Sequence, residues 1–373
     1  MRFLHTGDIH LDSAFCMSGA TLADGARAHQ RKIFEKIFSL AKQENCDMIL
    51  ICGDLFDTEF VSPATQSLCL SLFEDFGKPV IITPGNHDPY LDGGFYSSAK
   101  FSDNVYVFSS QELQFYDFEE LDTTVAGFAF MSSAHVSNPL DQQVVPREKW
   151  KGNFILCAHT ELNNPTSRYA PILEADIERW GFDYAALAHV HNPGDFGNSI
   201  RYCSFPEGRS FDELGEGGVY IVDIEPGEEP VVTRHIVSEK KYERVQLSLD
   251  GCHTPEAISG LILDTVAQMR QDMPVNIRID LEGTTEADII PDLLAVEKQL
   301  SVDGQVLEIY NSVLELPGGD FLEHDTTLRG EFYRTLRPQL LSEDTAKRRI
   351  ALRALKIGLA AIDSKSFTDG GSV

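Results

Sequence analysis

The chain has 373 residues, 42% hydrophobic and 24% charged, enough for two or three domains and a sizeable core. Its formal net charge of -27 argues against unaided, tight binding to nucleic acid, where phosphate neutralisation supplies much of the affinity. No apolar run reaches the roughly 18 residues of a membrane span, no signal-peptide core opens the chain, and the seven cysteines lack CxxC spacing, so a cytoplasmic protein with buried free thiols is expected.

Residues 2–6 read as a strand that runs into Asp8-Ile9-His10. Two residues apart on an extended segment, Asp8 and His10 point the same way and can share one ion. His5 lies inside the apolar run and is expected to be packed. Residues 26–45 carry Ile33, Phe34, Ile37, Phe38 and Ala41 at helical spacing, with His29 solvated near the start. The continuous apolar run 48–52 is that of a strand buried on both faces. Gly53-Asp54-Leu55-Phe56-Asp57 follows it, and Asp54 can present two oxygens. A second helix is expected over 62–76. Then comes the apolar run 79–84, ending in Gly85-Asn86-His87-Asp88, which supplies a neutral oxygen, an imidazole and a carboxylate able to orient it.

Strand-like segments follow at 105–108, 113–118 and 124–130, with His135 in a Ser/Asn-rich loop and expected at the surface. The apolar runs 154–157 and 184–188 lead to His159 and to His189-Val190-His191. Residues 172–179 read as a short helix. Segments 201–204 and 218–223 read as two strands joined by a polar loop containing Arg209, a residue suited equally to a phosphate contact or a surface ion pair.

Composition shifts near Lys240. Residues 242–314 read as β, α, β, α, β, a small α+β unit of split βαβ type. Pro317-Gly318-Gly319 breaks the chain. Helices are expected at 327–338 and 345–363, and residues 368–373 are expected to fray. The last helix has Leu352, Leu355, Leu359 and Ile362 on one side and Lys347, Arg348, Arg349, Arg353 and Lys356 on the other. It can pack on its own acidic body or dock on a partner helix.

Each polar turn alone is compatible with ordinary βα-loop chemistry. Together, five strand ends deliver eight ligand-type residues to what is expected to be one sheet edge, where open α/β folds bind ligands. The ordered set D-x-H, G-D-x-x-D, G-N-H-D, H and H-x-H resembles the calcineurin-like metallophosphoesterases over about the first 200 residues. The opening HTGDIHLDS, the stretch FPEGRSFDELGEGGVY at 205–220 and the C-terminal arrangement resemble the bacterial SbcD-like DNA-repair exonucleases, in particular the YhaO type. Ala158 and Ala188 stand where that family usually has glycine.

The resemblance implies an α/β fold: a four-layer αββα sandwich over 1–240, a small α+β cap domain over 241–316 and C-terminal partner-docking helices over 317–373. It implies two divalent cations, most simply Mn2+. Asp8, His10 and His191 would hold one, Asn86, His159 and His189 the other, with Asp54 bridging. His87 would protonate or stabilise the leaving oxygen, Asp88 would hold its ring, and Asp57 would stand behind the ligands. Implied partners are DNA, an SbcC-like coiled-coil ATPase and a homodimer mate, with no membrane. The implied activity is phosphodiester hydrolysis in DNA; the alternatives are a phosphatase or cyclic-nucleotide phosphodiesterase of the same fold, or a scaffold without catalysis.

Overall fold

The computed structural model describes residues 1–15, 20–58, 60–141, 147–150, 152–192, 196–270, 272–286, 289–302, 305–316, 321–342 and 344–362. Cys16, the break at 317–319, Asp363 and the tail at 368–373 lie outside them. The chain forms two compact units, Met1–Lys241 and Tyr242 onward.

Among its described residues the first unit holds two sheets. One comprises β1 (Arg2–Thr6), β2 (Met48–Ile51), β3 (Val80–Ile82) and β4 (Val105–Val107), and is reached through α1 (Ala20–Gln43), α2 (Pro63–Phe76) and the short α3 (Phe95–Ser98). The other comprises β5 (Gln114–Phe118), β6 (Thr123–Gly127), β7 (Asn153–His159), β8 (Tyr184–Ala188) after α4 (Glu174–Trp180), and β9 (Ile200–Tyr202). The chain then returns to the first sheet as β10 (Gly218–Asp223) and β11 (Val231–Ile236), giving the order β11-β10-β1-β2-β3-β4. β1 to β4 are parallel, as are β6 to β9.

Period-two alternation explains the layering. Met48 and Leu50 of β2 point into a core shared with Ile155, Cys157, Tyr184 and Ala186 of the second sheet. Ile49 and Ile51 point the other way, onto Phe34, Ile37 and Phe38 of α1 and Phe73 of α2. On the far face of the second sheet Leu156 and Leu187 pack with Ile177 and Trp180 of α4. The result is the four-layer αββα sandwich. α2 starts on Ser62, whose hydroxyl accepts from Thr65 N, and stops at Gly77, which takes the left-handed conformation at φ 67°. His5 is packed as expected: its ring bonds Tyr184 Oη and Leu187 O, each at 3.1 Å, tying the two sheets together.

Two expectations fail here. His135 is 2% exposed, not at the surface, and its ring lies edge-on to Phe128 and Phe130. His29 is not simply solvated, since its Nε2 lies 2.7 Å from Glu207 Oε1. β9 and β10, two strands joined by a polar loop as expected, belong to different sheets, so the segment between them crosses from one sheet to the other. The exposed edge strand β11 has no continuous apolar run to announce it.

The second unit is built on β12 (Lys241–Ser248), α5 (Pro255–Met269), β13 (Val275–Glu282), β14 (Thr284–Glu286), α6 (Leu293–Leu300), β15 (Leu307–Asn311) and β16 (Leu314–Leu316). Ile258, Ile262 and Val266 of α5 pack on Val275, Ile277 and Ile279. β13 and β15 are adjacent and parallel, so the unit they form with α6 is not split as expected. α7 (Phe321–His324), α8 (Leu328–Leu340) and α9 (Thr345–Ile362) share a small core in which Leu322, Leu355 and Leu359 are packed against Phe332 and Leu336 of α8. Among the described residues no helix is long and apolar enough to cross a membrane.

Candidate metal centre

The carboxyl ends of β1, β2, β3, β7 and β8 meet at one edge of the sandwich. Beyond that edge the loops after β1 and β2 zip together: Asp8 N donates to Gly53 O at 3.0 Å, His10 N to Asp54 O at 2.9 Å and Leu11 N to Leu55 O at 2.8 Å. This pairing turns Asp8, His10 and Asp54 into left-handed backbone conformations, with φ of 47°, 51° and 48°. Such conformations cost on the order of 1–3 kcal/mol each in a non-glycine residue and concentrate at functional sites. Two glycines permit the close approach. A Cβ on Gly53 would collide with the His159 ring, and one on Gly85 with the Asp54 carboxylate. The methyl groups of Ala188 and Ala158 belong to the cores on either face of the second sheet rather than to the cage.

Among the described residues, side-chain donor atoms gather in three trios: Asp8, His10 and His191; Asp54, His159 and His189; and His10, Asp54 and His87, the atoms of each lying within 4.8 Å of one another. Asn86 joins them, its Oδ1 2.9 Å from His159 Nε2. His159 Nε2 is also 3.3 Å from Asp54 Oδ2 and 3.1 Å from His189 Nδ1. Asp8 accepts from His189 N at 2.9 Å. All seven expected ligand residues are therefore brought together.

The far nitrogens are anchored. His10 Nδ1 bonds Asp57 Oδ1 at 3.0 Å, His191 Nδ1 lies 2.9 Å from Glu213 Oε1, and His159 Nδ1 bonds Cys52 O at 3.1 Å. Histidine ligands of metals are typically oriented in this way, through the nitrogen that does not face the ion. His87 Nδ1 is 3.2 Å from Asp57 Oδ1, and its backbone N donates to Asp54 Oδ1 at 3.0 Å.

Asp88 does not hold the His87 ring. It points inward and accepts from Gly85 N at 2.7 Å, Phe56 N at 3.1 Å and Tyr96 Oη at 2.6 Å. It staples the turn, while Asp57 orients the imidazole. Neighbours on a tight turn face opposite ways, which adjacency in sequence does not reveal.

The electrostatics are those of a site wanting positive charge. Burial disfavours the charged forms of Asp8 and Asp54, but the imidazoles outweigh it and hold both carboxyls below their usual range. Burial likewise opposes a charged His159, yet Asp54 and Asp8 lift its pKa to about 9. Asp8 and Glu213 lift His191 to about 10 against the same opposition. Asp57 raises His87. Burial and the charge of His159 push His189 down to about 4. The inward nitrogen of His10, Nε2, is buried without a hydrogen-bond partner among the described residues, at a cost unless something binds it. Carboxylates, neutral imidazoles and an amide oxygen are donors suited to divalent cations, so the residues fit such ions.

Beside the cage is a cleft of about 480 Å3 lined by Asp57, Thr58, Phe60, Asn86, His87, Ser133, Arg168 and Tyr169. The Tyr169 ring lies 4.5 Å from that of His189. Of the two roles open to Arg209, a phosphate contact or a surface ion pair, the structure shows ion pairing, but with largely buried partners rather than at the open surface. Its guanidinium sits behind the cage between Glu213 and Asp57. Glu213 was not foreseen from sequence; its signal is the four-residue spacing from Arg209.

Residues 1–193 match the family model for calcineurin-like phosphoesterases. The chain belongs to that family. It is thus an enzyme of a phosphoester-hydrolysing, divalent-metal-dependent class. This phosphoesterase is 26% identical over 304 residues to the uncharacterized metallophosphoesterase YhaO of Bacillus subtilis, covering 76% of this chain and 72% of that protein. To the SbcD component of the nuclease SbcCD from Bacillus subtilis it is 25% identical over 283 residues, 65% of this chain and 71% of the other. To the DNA double-strand break repair protein Mre11 of Methanopyrus kandleri it is 23% identical over 260 residues, 61% and 55% of the respective chains.

Proposed function

We propose that this phosphoesterase is a Mn2+-dependent phosphodiesterase acting on DNA, the nuclease subunit of an SbcCD-like repair assembly. The observation that carries the reading is the pair of donor trios, Asp8/His10/His191 and Asp54/His159/His189, with His87 beside them. Asp8, His10 and His191 would hold one cation. Asn86, His159 and His189 would hold the other, and Asp54, which falls within reach of donors on both sides, would be shared. When bound, the two cations supply positive charge that activates a water nucleophile and neutralises phosphoryl oxygens.

The chain's own residues do the rest. His87, whose Nδ1 is engaged by Asp57 and whose pKa that carboxylate raises, would present Nε2 as the proton donor to the leaving oxygen. Asp88 fixes the turn that aims His87 and Asn86. In the cleft, Arg168, an exposed residue, offers a guanidinium for a phosphate, and Phe60, 86% exposed, offers a ring for a nucleobase.

An acidic chain gains from a partner that brings basic surface. The SbcD relatives are, by name, parts of a larger nuclease, SbcCD. We take 241–316 as a cap domain and 317–373 as the segment that docks a coiled-coil ATPase. Leu341 and Ile350 in that segment are 71% and 69% exposed. A cytoplasmic location and a homodimer belong to the same reading.

The test is a Mn2+ titration of cleavage on linear duplex, single-stranded DNA and bis(p-nitrophenyl) phosphate, with and without the ATPase. Mn2+-dependent DNA cleavage, enhanced by the ATPase, is expected. Absence of cleavage of all three diesters at every Mn2+ concentration, with and without the ATPase, contradicts the reading.

A further inference from the structure

The two halves of the cage are braced by different means. Around His159 and His189 the support is main chain and packing. His159 Nδ1 meets Cys52 O, the Phe130 ring lies edge-on to His159 at 5.6 Å, and His189 leans on Tyr169. Around His10 and His191 the support is a relay of charged side chains. Glu213 holds His191, and Asp57 holds both His10 and His87.

One residue closes that relay. Arg209 reaches Glu213 Oε1 through Nη2 at 2.5 Å and through Nε at 3.1 Å, while its Nη1 reaches Asp57 Oδ1 and Ser13 Oγ, both at 3.3 Å. Ser13 in turn donates to the main-chain oxygen of His10 at 2.6 Å. Arg209 N also donates to Glu213 Oε2 at 2.7 Å, so the loop that crosses between the sheets is locked to its own carboxylate. A planar fork with five donors spans two carboxylates and a hydroxyl at once; a lysine ammonium lacks that fixed reach.

We infer that Arg209 is a positioning residue that sets one half of the cage, the Asp8/His10/His191 half, and ties its geometry to that of His87, leaving the Asp54/His159/His189 half untouched. The inference rests on the two-cation reading above. It assigns a role to the crossover loop, which supplies no proposed cation ligand. Without Arg209, Glu213 and Asp57 are left as neighbouring anions without a shared counter-charge, and the rings of His10, His191 and His87 lose their common reference.

The test is Mn2+ binding by calorimetry and electron paramagnetic resonance on the full chain and on R209A, R209K and E213Q. The wild type is expected to take up two ions with the spectrum of a coupled pair. In R209A and E213Q one binding step weakens about 10- to 100-fold while the other is unchanged, and the spectrum at limiting Mn2+ becomes that of a single isolated ion. R209K falls between wild type and R209A. Should R209A fail to fold, E213Q keeps the guanidinium and carries the same test. A wild type binding two ions whose variants weaken both steps together, or neither, overturns the role of Arg209. A wild type that takes up no Mn2+ overturns the two-cation reading, and this inference with it.

Discussion

In Met1–Lys241 the buried side chains include His5, Asp8, His10, Asp54, Asp88, His135, His159 and Glu213. From Tyr242 onward, the buried polar side chains among the described residues are Asn276 and Thr285, both neutral. Burying an ionisable group is costly unless it is paired, bonded or bound to a metal. The second unit avoids that cost and is held by aliphatic packing. The first unit accepts it at one sheet edge, together with strained backbone at Asp8, His10 and Asp54. Chemistry is concentrated where the fold tolerates groups that stability alone would remove.

That contrast can be broken in order of expected effect. Asp54→Ala should bring hydrolysis to background and abolish uptake of both cations, read by metal analysis of the purified variant; full retention of two ions would separate the carboxylate from the cage. His87→Ala should lower kcat by about 10²- to 10⁴-fold with metal content intact, and loss of both ions in that variant would make His87 a ligand instead. In the second unit the readout changes from activity to stability. Ile277→Ala, a truncation inside the aliphatic core, should cost about 2–5 kcal/mol in denaturant unfolding of that unit and leave Mn2+ uptake unchanged.

The smallest effect sharpens the contrast by pH. Burial lowers the pKa of His135 from 6.5 to about 4. The unfolded chain therefore binds this proton first, and stability is lost as pH falls from about 6.5 towards 4, by up to about 3 kcal/mol from this residue. His135→Phe should flatten that acid limb in melts at a series of pH values. An unchanged slope would mean that the ring takes up its proton without leaving the core.

The residues of the candidate cage were legible in sequence because each follows an apolar run of the kind a buried strand carries, and parallel strands end on the same edge. Ser62 and Gly77 likewise mark α2 by local chemistry. What lay hidden was direction and long-range topology. Asp88 sits next to His87 yet turns inward to Tyr96, whereas Asp57, on the loop after a different strand, reaches the ring. Arg209 and Glu213 were unreadable as parts of the site because nothing local says that β9 and β10 lie in different sheets. His135 sits in a polar stretch whose neighbours give no hint of the aromatic pocket that covers it.

The most direct measurement is anomalous diffraction from crystals of the full chain grown with Mn2+. Two peaks are predicted within the cage, one among Asp8, His10 and His191 and one among Asp54, Asn86, His159 and His189. A cage with no anomalous density, or manganese bound only elsewhere on the surface, would contradict the account.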